Sequence, residues 1–163
     1  MNAMVKDPVC GMEVDARQLD TVYLGIHYAF CSAQCQDRFA ANPHLYIGHP
    51  GHQAPKQQGQ EVLKRRCLAM GMVLSADQAD RLERKLLEMM GVQSVTVKGD
   101  RLEITYDLLQ ATEQQIEAQL AEAGIALGEG WAERLRRAFV QYLEEREVDS
   151  LECRPPRGHA AHK

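Results

Sequence analysis

The sequence predicts an α+β chain built from two small units and a closing helix, and three observations carry that reading. Cys10, Cys31 and Cys35 fall within the first 48 residues, around a hairpin and a helix start. Residues 61–128 run in the order strand, helix, strand, strand, helix, strand, which is a ferredoxin-like βαββαβ pattern. Beyond them, Trp131–Glu147 repeats apolar residues at helical spacing.

In the first unit, residues 1–48, Thr21–Leu24 and Ile26–Phe30 are β-prone runs on either side of Gly25 and read as a hairpin. Ser32 caps a helix over Ala33–Ala41, and Asn42-Pro43 ends it because the residue before a proline avoids the helical region. Residues 49–60 carry Pro50, Gly51, Pro55 and Gly59 among polar residues without apolar periodicity, the pattern of a linker.

In the second unit, residues 61–128, Val62–Val73 contains a strand. Ser75 and Gln78 have the spacing of a capping box, which satisfies the free amides of a helix start. Ala79, Leu82, Leu86 and Met90 then form one apolar face, and Gly91 stops the helix. Val95 and Val97 alternate with polar residues, Gly99-Asp100 suits a tight turn, and Leu102, Ile104 and Tyr106 alternate again. Thr112 and Gln115 repeat the capping-box spacing before Ile116, Leu120 and Ala123; Gly124 closes that helix, and Ile125–Leu127 forms a last short strand. Residues 129–149 follow as an amphipathic helix with Trp131, Leu135, Ala138, Phe139, Tyr142 and Leu143 on one face. Residues 150–163, with Pro155, Pro156 and Gly158, read as a flexible tail.

Composition narrows the function. A formal net charge of −4 argues against nucleic acid as the partner, since binding phosphates needs a basic surface. No stretch approaches the roughly 20 consecutive apolar residues that span a bilayer. The first residues lack the apolar heart of a secretion signal, so a cytoplasmic location is the expectation. There the five cysteines are expected as thiols or metal ligands rather than disulfides. No Ser-His-Asp set, phosphate loop or paired-carboxylate motif stands out, and no enzyme is expected.

The cysteines carry the chemistry. Their spacing is Cys-x20-Cys-x3-Cys. Cys31 and Cys35 straddle the helix start, where backbone amides and the helix dipole favour thiolates. Cys10 lies between Pro8 and Gly11, which suit a turn that points its sulfur inward. Three converging thiolates repel one another unless a cation neutralises them, and thiolates select soft or borderline ions, Cu(I) or Zn(II). One such ion per chain is expected. Met12, His27 or solvent is left as its fourth partner. His49 with His52, and His159 with His162 near Cys153, have metal-ligand spacing but sit in polar stretches that carry histidines without metal. Cys67 lies in the strand and reads as a core or edge residue.

Asp7-Pro8-Val9-Cys10-Gly11-Met12, Tyr28-Ala29-Phe30-Cys31-Ser32, Cys35, Phe39, and Asn42-Pro43 with Tyr46 resemble the YHS domain, a relative of TRASH-type metal-binding modules. The resemblance implies a treble-clef-like metal module with Cys10, Cys31 and Cys35 as ligands, of a kind attached to heavy-metal transport or resistance proteins. The second unit resembles the heavy-metal-associated domain of copper chaperones and P-type ATPases, with Gly71-Met72, Arg81-Leu82-Glu83 and Gly91-Val92 in matching places. That family's Cys-x-x-Cys is missing, since Val73-Leu74-Ser75-Ala76 stands in its place, and metal binding is not carried over to this unit. The resulting expectation is a heavy-metal-binding protein that buffers, delivers or senses a soft ion alongside a metal-transporting ATPase or other efflux component. The competing expectation is a structural zinc module that supports a protein-interaction domain.

Overall fold

The computed structural model describes residues 3–153 and is α+β. The first unit opens with a hairpin absent from the sequence expectation. Strand β1 (Met4–Lys6) pairs antiparallel with β2 (Glu13–Asp15), Val5 opposite Val14. Both strands are three residues long and β1 is exposed throughout, so neither carries a readable alternation.

The second hairpin, β3 (Thr21–Tyr23) and β4 (Ile26–Tyr28), turns at Leu24 and Gly25. Both turn residues have positive φ, 51° and 77°, as a type I′ turn requires. Helix α1 (Ala33–Ala41) starts on Ser32, whose Oγ accepts the Cys35 amide.

Helix α1 ends at Ala41 with Asn42 as its C-cap, as Asn42-Pro43 predicts, and a separate short helix α2 (His44–Ile47) then starts on Pro43. Proline suits a helix entry, where its missing N–H would have no partner. Residues 49–60 pack back over α2 rather than running free. His49 and His52 form a bridge, Ala54 is fully buried, and the Lys56 amide donates to Leu45 O. The turn into this stretch depends on Gly48, at φ +70°, where a Cβ would lie 2.3 Å from the His52 carbonyl oxygen.

The second unit is a three-stranded antiparallel sheet in the order β5-β7-β6, formed by β5 (Leu63–Ala69), β6 (Val92–Lys98) and β7 (Arg101–Asp107). Helix α3 (Ala76–Leu87) follows β5, and α4 (Glu113–Glu122) follows β7. Both predicted capping boxes form, Ser75 with Gln78 and Thr112 with Gln115. The strand expected at Ile125–Leu127 is reduced to one bridge, Met70 to Leu127, flanked by Gly71 N to Ala126 O at 2.7 Å and Gly128 N to Ala69 O at 2.9 Å. This remnant beside the end of β5 completes the βαββαβ order. Ala123, expected on the buried face of α4, is the exposed C-cap instead.

One buried cluster joins the units. Val9, Phe30, Phe39, Leu45 and Tyr46 are continuous with Leu82, Leu86, Leu102, Ile104, Tyr106, Ile116 and Leu120. Polar contacts cross the same seam. Gln34 Nε2 donates to Met90 O and Gln110 O at 2.8 and 3.0 Å, and Tyr46 OH donates to Leu109 O.

Helix α5 (Trp131–Cys153) lies across both units. The described side chains of the apolar face read in the sequence point outward. Ala138, Phe139, Tyr142 and Leu143 are exposed, while Glu144 and Val148 are buried. The side chains of Trp131 and Leu135 lie outside the described residues. The burial of Glu144 has a physical cause. Tyr106 OH and the Glu113 amide both donate to the Glu144 carboxylate, with Arg66 Nη2 3.6 Å away, and a buried charge with that many partners is tolerated. At the far end Glu152 accepts from His44 N and Asn42 Nδ2. The helix therefore continues through Ser150, where the flexible tail was expected to begin, to Cys153. The rest of that tail, with His159 and His162, lies outside the described residues.

Candidate metal centre

The first hairpin and the start of α1 bring three sulfurs together. Cys10 sits in the turn between β1 and β2, which Gly11 closes by donating its amide to Asp7 O. Cys31 follows β4, and Cys35 lies in the first turn of α1. Cys10 Sγ is 3.5 Å from Cys31 Sγ, and Cys31 Sγ is 3.6 Å from Cys35 Sγ. Around a tetrahedral ion with bonds of about 2.3 Å, sulfurs stand roughly 3.8 Å apart. A small closure or expansion of this triangle thus fits a thiophilic ion, and the all-sulfur donor set fits the chemistry of one.

Asp7 holds the triangle in place. Its carboxylate is 1% exposed. Oδ1 accepts from Val9 N at 2.8 Å and from Cys10 N at 3.4 Å, while Oδ2 accepts from Cys31 N at 2.8 Å. One side chain thereby fixes the backbone at two of the three cysteines, which are distant in sequence. Together with the three sulfurs it forms a group whose ligand atoms all lie within 4.8 Å of one another. Sequence reasoning quoted Asp7 as part of a motif and did not single it out. A signal was available: Asp before Pro begins an Asx turn, in which the carboxylate takes the amide two residues on.

The thiols of Cys10 and Cys35 are held protonated rather than as free thiolates. Burial pushes the Cys10 thiol up to about 12, with the Met12 amide opposing and the nearby Cys31 thiol and Asp7 reinforcing the shift. Burial, reinforced by Asp7 and Cys10, pushes Cys35 up as well. Desolvation is the largest cause at both sulfurs. An arriving cation must therefore displace protons from sulfur.

Among the described residues this is the only set of three or more Cys, His, Asp or Glu ligand atoms close enough to share an ion. His27 is not part of it. Paired with Val22 in the hairpin, it points to solvent, and Nδ1 lies 3.8 Å from Asp20 Oδ2. Met12 is 48% exposed on the loop beyond Cys10. His49 stacks on His44 with ring centres 4.1 Å apart, its Nε2 3.2 Å from Glu152 O, and His52 is exposed. Cys67 sits on β5 opposite Glu103, and Cys153 is exposed at the end of α5.

Residues 5–50 match the family model of the YHS domain. A copper-transporting P-type ATPase from Rhizobium leguminosarum bv. viciae is 44% identical over 48 residues, which is 28% of this chain and 6% of that protein. The chain thus spans a small fraction of the length of this curated relative. Similar solved structures include the N-terminal soluble domains of Bacillus subtilis CopA, 20% identical with a TM-score of 0.39, covering 41% of this chain and 47% of that one. Another is a putative copper-ion-binding protein from Bacillus anthracis str. Ames, 20% identical with a TM-score of 0.40, covering 42% of this chain and all of that one. No helix among the described residues is long and apolar enough to cross a membrane.

Proposed function

We propose that the first unit binds one thiophilic ion through Cys10, Cys31 and Cys35, and that the chain buffers, delivers or senses that ion beside a metal-transporting ATPase. The observation that carries this reading is the sulfur triangle, at 3.5 and 3.6 Å, held by Asp7. The relative named as a copper transporter favours copper as the cargo and an efflux ATPase as the partner. A cytoplasmic, thiol-reducing setting suits three free thiols. The second unit, which lacks the Cys-x-x-Cys, serves as scaffold or docking surface, and the chain is a binding protein rather than an enzyme.

A purely structural zinc role is the weaker reading. Phe39 packs against Tyr23, Tyr28, Phe30 and Tyr46 with ring centres 4.8 to 6.2 Å apart, so the unit has an aromatic core of its own. Asp7 already fixes the loops that carry Cys10 and Cys31.

The test is metal content and Cu(I) competition against a chelator. The expected result is one ion per chain, lost in Cys31→Ser and Cys35→Ser and kept in Cys67→Ser and Cys153→Ser. Equal metal content in all four variants would reject the assignment.

A further inference from the structure

We propose that Asp7 is a selectivity-setting positioning residue: its fixed negative charge, held beside the three sulfurs, biases the site toward divalent ions over monovalent ones. This rests on the metal-binding reading above and adds which charge class of ion the site prefers. The carboxylate is 1% exposed, and no Lys, Arg or His pairs with it among the described residues. Buried charges in folded proteins are paired or sit beside metals. Here the backbone amides of Val9, Cys10 and Cys31 occupy both oxygens, so Asp7 is turned toward the loops and acts on an ion through space. One of those oxygens nonetheless lies within 4.8 Å of every sulfur.

At that separation attraction scales with the charge of the ion, so a divalent ion gains about twice what a monovalent ion gains. Sulfur softness sets the absolute preference for Cu(I) or Zn(II), and Asp7 moves the ratio between them. The amide bonds and the charge are separable. Asn at position 7 keeps the shape and one acceptor but removes the charge. Glu keeps the charge but displaces the acceptors from the amides of Cys10 and Cys31.

The experiment measures dissociation constants of the full chain for Zn(II) and for Cu(I), each by competition with a chelator of known affinity. In Asp7→Asn the Zn(II) affinity is expected to fall at least about tenfold more than the Cu(I) affinity. In Asp7→Glu both affinities are expected to fall by similar factors, leaving their ratio within about threefold of the parent protein. A merely structural role would weaken both ions equally in both variants, and an unchanged ratio in Asp7→Asn would overturn the proposal. If Asp7→Asn does not fold, Asp7→Ser, which also removes the charge and keeps an acceptor at the turn, is read by the same criterion: a Zn(II) affinity that falls at least about tenfold more than the Cu(I) affinity is expected, and an unchanged ratio would overturn the proposal. A parent chain that binds neither ion would instead reject the metal-binding reading, and this inference with it.

Discussion

The two units of this molecule are ordered by different means. The second unit rests on a continuous sheet, two capped helices and buried side chains such as Leu86, Ile104 and Ile116. The first has four strands of three residues each and draws its order from a few long-range devices: the Asp7 carboxylate, the aromatic cluster around Phe39, and the meeting of Cys10, Cys31 and Cys35. One unit draws its order from a continuous sheet and its helices, the other from a small aromatic core and a few long-range contacts that converge on one place. The contrast teaches where a site can sit. Short strands and turns bring residues distant in sequence to one point, whereas the sheet of the second unit spaces its side chains apart and gathers no ligand set.

The largest expected effect breaks the first unit alone. Cys31→Ser should weaken metal binding by roughly a hundredfold or more, since a ligand matters at least as much as the partners that orient one. Amide signals of residues 61–128 should stay dispersed in the same protein. Loss of dispersion across the whole chain would show that the two units depend on one device after all.

The next effect breaks the second unit. Leu86 is fully buried, and Leu86→Ala should cost about 2–5 kcal/mol in chemical denaturation through lost burial and a cavity. Metal stoichiometry should be unchanged in the protein that remains folded. A lower stoichiometry would mean that the shared core transmits strain to the sulfurs.

A third test reads the polar clasp of α5. Burial, with Glu144 and Glu117 opposing ionisation and Arg66 favouring it, raises the Glu113 carboxyl from 4.5 to about 7. The folded state thus holds this proton more tightly than the unfolded state. The group costs nothing below the ordinary carboxyl range, its penalty grows as pH rises between 4.5 and about 7, and it is constant above that. Stability should therefore be lower at pH 8 than at pH 5 by on the order of 1–3 kcal/mol from this group. Glu113→Gln should flatten that dependence, and an unaltered pH profile in the variant would place the titration elsewhere. The smallest effect is local: Ser75→Ala removes the α3 cap and should cost about 1 kcal/mol without touching metal content.

These differences also explain what could be read in the sequence. Both capping boxes were legible because each partner lies three residues from the other, and the β3–β4 turn was legible because Gly25 marks a backbone that few residues adopt. The three cysteines were legible as a set from their types and spacing, and they do converge. The first hairpin was not, because strands of three exposed residues carry no alternation. Which face of α5 turns inward was not legible, because the helix buries Glu144, and the distant Tyr106, Arg66 and Glu113 amide make that burial tolerable. Asp7 was passed over for the same reason, since its third contact, to Cys31 N, spans 24 residues. His27 was a candidate ligand by type alone, and hairpin pairing turns it to solvent.

The central claim, that one ion binds the sulfurs of the first unit and none elsewhere, is tested most directly by cysteine alkylation read by mass spectrometry. The chain carries five free cysteines, which report independently. With one equivalent of Cu(I) or Zn(II), the account predicts that Cys10, Cys31 and Cys35 become protected together while Cys67 and Cys153 react at the rate seen with a chelator present. Protection of Cys67 or Cys153, or unchanged reactivity at Cys10, Cys31 and Cys35 with metal bound, would contradict it.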